Sequence, residues 1–185
     1  AAREAVGPNI DICVDMHGRY DAVTAQAIAK RLEPLNLMWL EEPIPAENVE
    51  AYKLITESTS TPICAGENHY LAYGFRRMLE IGAVDIVMPD LQKAGGLGEG
   101  QRIANLANLY YTPFAPHMVA SFLGAMASAH VCASVPNFLI ILPPPPSMMP
   151  FCFFCCTIIS ALIFVRGAFF LNACWVLLTT YNLFC

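Results

Sequence analysis

Asp11-Ile-Cys-Val-Asp-Met-His-Gly-Arg-Tyr-Asp21 is the stretch on which the reading of the fold turns. Ile10, Ile12 and Val14 are β-formers in a short run that Gly18 closes, which predicts a buried strand stopping near residue 16. Asp15 and His17 then stand at its C-terminal tip. Residues two apart on a strand share a face, so the carboxylate and the imidazole are expected on the same side. An anion beside a titratable base is costly in a core and common in an active site.

Outward from this stretch, strand and helix alternate. Residues 1–7 predict the last turns of a helix, stopped by Gly7 and Pro8. Helical spacing covers 22–32, with Lys30 and Arg31 towards its end. Leu37-Met-Trp-Leu-Glu-Glu-Pro43 is an apolar run ended by two carboxylates, and 49–58 is again helical. Thr61-Pro-Ile-Cys-Ala-Gly-Glu67 ends another run in an acid. A helix over 75–81 precedes Val84-Asp-Ile-Val-Met-Pro-Asp90, and one over 98–109 precedes Tyr111-Thr-Pro-Phe-Ala-Pro-His117. A helix over 122–134 leads to a last strand near 138–141.

Asp15, Glu41, Glu67, Asp90 and His117 thus end successive strands at near-even steps, the size of βα units in a parallel sheet. Parallel strands present their C-terminal ends on one side. The five residues are therefore expected at one mouth, where a (β/α) barrel of the TIM type keeps its chemistry. A flat, doubly wound sheet is the alternative, but it would concentrate ligands at one switch point.

The chain has 185 residues, 56% of them hydrophobic and 14% charged, with a net charge of −5. From Ile141 to Cys185 the sole charged side chain is Arg166, so nearly all the charge lies in an acidic body over 1–140. That argues against a nucleic-acid partner, because phosphate binding needs a basic surface. Cys13, Cys64 and Cys132 fall singly in apolar patterns and read as buried free thiols. The sequence opens Ala-Ala-Arg-Glu with no basic-then-apolar leader, which sets a reducing, cytoplasmic expectation.

Asp15, Glu41 and Glu67 are three carboxylates that cannot share a pocket ionised unless a cation neutralises them. All-oxygen ligation with room for water and substrate suits Mg²⁺, with Mn²⁺ the alternative. Glu42 is the lesser of its pair, because it alternates to the other face from Glu41. Asp90 can hold one nitrogen of His117 and leave the other poised as a base, although a structural Asp–His pair fits the same spacing. A metal beside such a base suggests proton removal α to a carboxylate, with the metal stabilising the enediolate. Arg19 could pair with a substrate carboxylate or be solvated. His69 could touch substrate, although its spacing assigns no role. His130 reads as packed or capping, and Gly95 to Gly98 as a tight loop entering a helix.

Val14-Asp-Met-His-Gly-Arg19, Trp39-Leu-Glu-Glu-Pro43, Ala65-Gly-Glu-Asn68, Met88-Pro-Asp90 with Gly95 and Gly96, and Ala115-Pro-His117 together carry a family resemblance. Over residues 1–140 the chain resembles the C-terminal barrel of mandelate racemase-like members of the enolase superfamily. His17, two residues after the first acid, resembles the galactonate- and gluconate-type sugar-acid dehydratases within that group. The resemblance implies Asp15, Glu41 and Glu67 as Mg²⁺ ligands, and His117 as base oriented by Asp90. It also implies His17 as the acid that protonates a departing β-hydroxyl, turning an aldonate into a 2-keto-3-deoxy acid. A histidine that only hydrogen-bonds substrate or a ligand carboxylate is the plainer reading of His17.

By the same resemblance the body corresponds to strands three to eight of the family barrel, without the cap domain and first two strands. A fragment inactive alone is therefore expected. A racemase or epimerase sharing the enediolate is the alternative, as is a non-catalytic product whose tail associates with membrane. A full-length relative could be a homo-oligomer. The tail over 141–185 begins with Pro143 to Pro146 and is then apolar without a helical face. Arg166 splits it into runs shorter than the roughly 20 residues of a span. Cys152 and Cys155 offer half a zinc site. The break in composition reads as a segment unrelated to the body.

Overall fold

β1 (Cys13–Asp15), β2 (Trp39–Glu41) and β3 (Ile63–Ala65) are short strands drawn from the apolar runs that end in acids. The computed structural model describes residues 1–119 and 121–141. These strands are parallel, with Cys13 opposite Trp39, Asp15 opposite Glu41, and Glu41 opposite Cys64. β4 (Ile86–Val87) follows in the order β1-β2-β3-β4. Asp85 ties its start to β3 twice: its N–H donates to the Ile63 carbonyl, and its carboxylate accepts the Ile63 N–H. β2 and β3 are buried on both faces, as parallel strands covered by helices must be. Strands and helices alternate in an α/β fold, as the spacing of the acids predicts.

Two compact units divide the described residues: Ala1–Ala65 with Arg77–Ile86, and Gly66–Arg76 with Val87 onward to residue 141. In the first, α1 (Ala2–Val6) ends at Gly7. Its Arg3 guanidinium donates to the carbonyls of Gly7, Ile10, Leu35 and Asn36, fixing the approaches to β1 and β2. α2 (Ala22–Leu32) starts where the Asp21 side chain accepts the Thr24 N–H at 2.9 Å. It buries Ala25 and Ala29 and runs into a 3-10 turn, Glu33–Leu35. α3 (Val49–Thr56), capped by Asn48, buries Tyr52 and Ile55. Trp39, Leu40, Ile55 and Ile63 are fully enclosed in this unit's core.

α4 (Leu71–Glu80) begins at Leu71 rather than Phe75. The second unit continues with α5 (Leu91–Ala94), α6 (Leu97–Leu109) and α7 (Phe122–Ser134). Gly95 and Gly96, with φ of 113° and 87°, form the tight link from α5 into α6 that the sequence predicts. The strands expected over 111–117 and 138–141 reduce to isolated parallel bridges, Val87 to Phe114, Asp90 to His117 and Phe114 to Phe138. Over 111–117 proline is the reason. Pro113 and Pro116 have no N–H to give a ladder, so the bonding falls to the N–H groups of Phe114, Ala115 and His117.

His130 is exposed on α7, which overturns packing, one of the two readings the sequence allows. Cys64 and Cys132 are buried free thiols and Cys13 is half-buried. Burial pushes the Cys132 thiol up to about 12. Among the described residues no helix is long and apolar enough to cross a membrane. The tail readings on Arg166, Cys152 and Cys155 lie outside the described residues.

Candidate active site

Asp15 and Glu41 are the last residues of neighbouring parallel strands and stand directly opposite each other in register. Side chains in register on adjacent parallel strands project to one side, with backbones about 4.8 Å apart. One oxygen of each carboxylate already takes an N–H. The His17 backbone donates to Asp15 Oδ1 at 2.7 Å, and Trp39 Nε1 donates to Glu41 Oε2 at 3.0 Å. His17 does not continue the strand. It sits in a turn with φ 53°, and its Nδ1 lies 3.6 Å from Asp15 Oδ2. The expected neighbourhood of the two side chains is therefore present, but an Asx-type turn creates it instead of strand alternation. His17 is half exposed and Arg19 exposed, both on the solvent side of this strand end.

Glu42 is more important than alternation suggested. The backbone leaves the extended region there, with φ 41°, and the residue is only 1% exposed. Its Oε2 lies 3.4 Å from the Tyr52 hydroxyl, which donates at 2.6 Å to the Ile44 carbonyl. Burial first, and the Glu42 charge after it, push the Tyr52 hydroxyl far above its ordinary range. The carboxylate thus turns towards Tyr52 of α3.

The second unit holds the other candidates. Asp90 follows the Val84–Pro89 run and caps α5, its Oδ1 accepting the N–H groups of Gln92 at 3.0 Å and Lys93 at 3.3 Å. Its Oδ2 lies 3.0 Å from His117 Nδ1, and the parallel bridge between the two residues aligns them. Burial works against the Asp90 charge, but the His117 ring and the two amides outweigh it and hold its carboxyl below the usual range. His117 Nε2 faces Glu67 Oε2 at 2.6 Å. For both contacts to be N–H···O bonds, the ring must carry both protons. Asn68 Nδ2 donates to Glu67 Oε1 at 3.1 Å. His69 is buried and tilted against Phe75, with ring centres 5.6 Å apart. Asp90, His117 and Glu67 thus form a buried acid–imidazole–acid row.

Gly66 sets the height of Glu67. Its φ is 143°, and a Cβ there would sit 2.8 Å from Phe75 Cε1 and 3.0 Å from the Met88 backbone. Gly66→Ala combines a left-handed backbone with a backbone clash, and is expected to cost about 2–4 kcal/mol. Chemical denaturation reads this as a lower midpoint with an unchanged slope.

The donors fit a hard divalent cation. Asp15 and Glu41 offer oxygen alone, each from a carboxylate steadied by one N–H. Burial, and after it the Glu41 charge, push the Cys13 and Cys64 thiols well above their ordinary range. A negative field therefore surrounds the end of β2, and a cation there would neutralise it. Mg²⁺, or Mn²⁺ in its place, suits these ligands.

The family model described as enolase C-terminal domain-like matches residues 1–148. D-xylonate dehydratase of Haloferax volcanii is 48% identical over 139 residues, covering 75% of this chain and 34% of that protein. D-galactonate dehydratase of Xanthomonas euvesicatoria is 40% identical over 129 residues, 70% of this chain and 34% of the relative. The chain therefore spans about a third of the length of these relatives. Among solved structures, a mandelate racemase/muconate lactonizing enzyme-like protein from Rubrobacter xylanophilus aligns with a TM-score of 0.76 and 50% identity, over 82% of this chain and 38% of that one. An enolase from Bradyrhizobium, complexed with magnesium and mandelic acid, aligns with a TM-score of 0.71 and 33% identity, over 76% and 37% of the two chains.

Proposed function

We propose, since the chain belongs to the enolase C-terminal domain-like family, that its body carries the chemistry of a Mg²⁺-dependent sugar-acid dehydratase. The observation that carries this reading is the buried Asp90–His117 pair, with Oδ2 and Nδ1 3.0 Å apart. With Glu67 serving the cation instead of the ring, an ionised Asp90 fixes the tautomer with the proton on Nδ1, which directs the basic capacity of His117 to Nε2. His117 Nε2 takes the proton from the carbon α to the carboxylate of an aldonate. His17 gives a proton to the β-hydroxyl, which leaves as water, and the resulting enol tautomerises to a 2-keto-3-deoxy acid. Asp15, Glu41 and Glu67 would hold the cation. When bound, Mg²⁺ supplies the positive charge that lets the substrate carboxylate accept a second negative charge.

The domain doing this covers residues 1–140, with 141–185 a separate segment. Its partner is a small anionic sugar acid, and free thiols at Cys13, Cys64 and Cys132 support a reducing, cytoplasmic setting. Grafting tests the reading in a complete enzyme. Residues 1–140 replace the corresponding third of the Xanthomonas D-galactonate dehydratase, and 2-keto-3-deoxy acid is assayed with Mg²⁺ and after chelation. The expected result is aldonate dehydration that chelation removes and Mg²⁺ or Mn²⁺ restores. A folded graft with neither dehydration nor α-proton exchange would overturn the proposal. Exchange without any dehydration would favour a racemase or epimerase.

A further inference from the structure

We infer that Trp39 is a positioning residue: its indole N–H selects which oxygen of Glu41 faces the cation. This inference rests on the metal reading above. Trp39 is fully buried, is two residues before Glu41 on β2, and donates to Glu41 Oε2 at 3.0 Å. The same-face relation follows from the strand period, so the contact is built into the local backbone. Glu41 is itself only 7% exposed, which makes the bond a dry one, stronger and less interruptible than a surface contact.

The physical case for a positioning role lies in the glutamate side chain. Its terminal torsion is broad and two-fold, so an unrestrained carboxylate spreads over many orientations and can turn both oxygens to a cation. The Trp39 bond removes that freedom before binding. Oε2 is committed to the indole, and Oε1 is the atom that β2 presents for single-oxygen ligation. Mg²⁺ demands near-ideal octahedral geometry, so a pre-set oxygen favours it. Trp39 is opposite Cys13 on β1, and its ring is fully enclosed, so the donor cannot swing away. Glu67 has a comparable device in Asn68, whose amide donates to Oε1 at 3.1 Å. A tryptophan N–H merely disposed of in the core would need only some acceptor. Here the acceptor is a strand-end acid in register with a second acid.

Trp39→Phe keeps an aromatic ring at the site and removes the donor. Mn²⁺ binding to the purified chain is followed by the loss of the free-ion paramagnetic signal, and Mg²⁺ by competition. Removal of a ligand's hydrogen-bond partner should weaken Mn²⁺ and Mg²⁺ binding by about 10–100-fold, while Glu41→Gln removes it. The metal-free unfolding midpoints of wild type and Trp39→Phe are measured alongside, so that lost folding is not mistaken for lost positioning. Independently of that variant, the indole reports on its own acceptor. In a Trp175→Phe background, Mg²⁺ should change Trp39 emission saturably, with a midpoint equal to that of the competition experiment. Wild-type binding with an unchanged affinity in a folded Trp39→Phe variant would overturn the role of Trp39 and spare the metal reading. Emission insensitive to bound Mg²⁺ would do the same. A wild-type chain that takes up neither ion would overturn both.

Discussion

His117→Asn in the grafted dehydratase is expected to lower α-proton exchange into D₂O by about 10²–10⁴-fold, the usual worth of a positioned general base. Substrate affinity should change little, because the lost interaction is made as the proton moves. Asp90→Asn is the sharper version. Asparagine is as good an N-cap as aspartate, so α5 keeps its start and the bonds to Gln92 and Lys93 have an acceptor. What the amide loses is its charge, which fixes the Nδ1 proton and stabilises the imidazolium once Nε2 has accepted a proton. The expected loss is again about 10²–10⁴-fold in exchange, with folding retained. Stability separates the two roles of Asp90. Its folded-state pKa is depressed, so its contribution is complete above the unfolded value near pH 4 and disappears as pH falls through the lower folded value. Wild type should therefore lose stability as pH falls below about 4 more steeply than Asp90→Asn. Equal slopes, or full exchange activity in either variant, would sink the assignment.

Local chemistry made much of this legible from the sequence. Helical spacing over 22–32 and 122–134 places α2 and α7 where they stand, and the Asp21 and Ser121 side chains cap them by accepting the Thr24 and Gly124 N–H groups. Asp15 and Glu41 face each other because both end neighbouring parallel strands; equal steps alone do not set the register, since Glu41 stands opposite Cys64 and not Glu67. The failures arise where the backbone leaves its repeating conformation. At His17 and Glu42 φ is positive, so the period-two rule stops one residue too early to describe either side chain. At Leu71, again with positive φ, α4 starts abruptly, its Ala72 N–H taken by the distant Glu99 carboxylate, and its first turn could not be read from Tyr70 to Gly74. α5 is a single turn between Asp90 and Gly95, too short to show a period. Trp39 is a different case. The alternation that paired Asp15 with His17 also pairs Trp39 with Glu41, and a buried indole needs an acceptor. The signal was present in Trp39-Leu-Glu41, but tryptophan reads first as core.

His17→Asn should separate elimination from proton abstraction. The ring is half exposed, stands in a left-handed turn, and is held near Asp15 by its own backbone N–H rather than by a strand. Asparagine tolerates that backbone better than most residues, so the turn and its bond to Asp15 Oδ1 should survive. The substitution therefore removes one thing, an imidazole that can donate a proton. If His17 protonates the β-hydroxyl, dehydration in the graft falls by about 10²–10⁴-fold. Exchange of the α-proton continues within a few-fold of the parent, because the substitution leaves the Asp90–His117 pair in place. Fluoride at the β-carbon sharpens the test. It leaves as an anion and needs no proton, so a β-fluoro aldonate should be processed by His17→Asn at nearly the parent rate. Equal loss of exchange and dehydration would return His17 to a substrate-binding role. Rescue by the fluoro substrate with exchange intact would leave general acid catalysis as the reason a histidine follows the first acid by two residues.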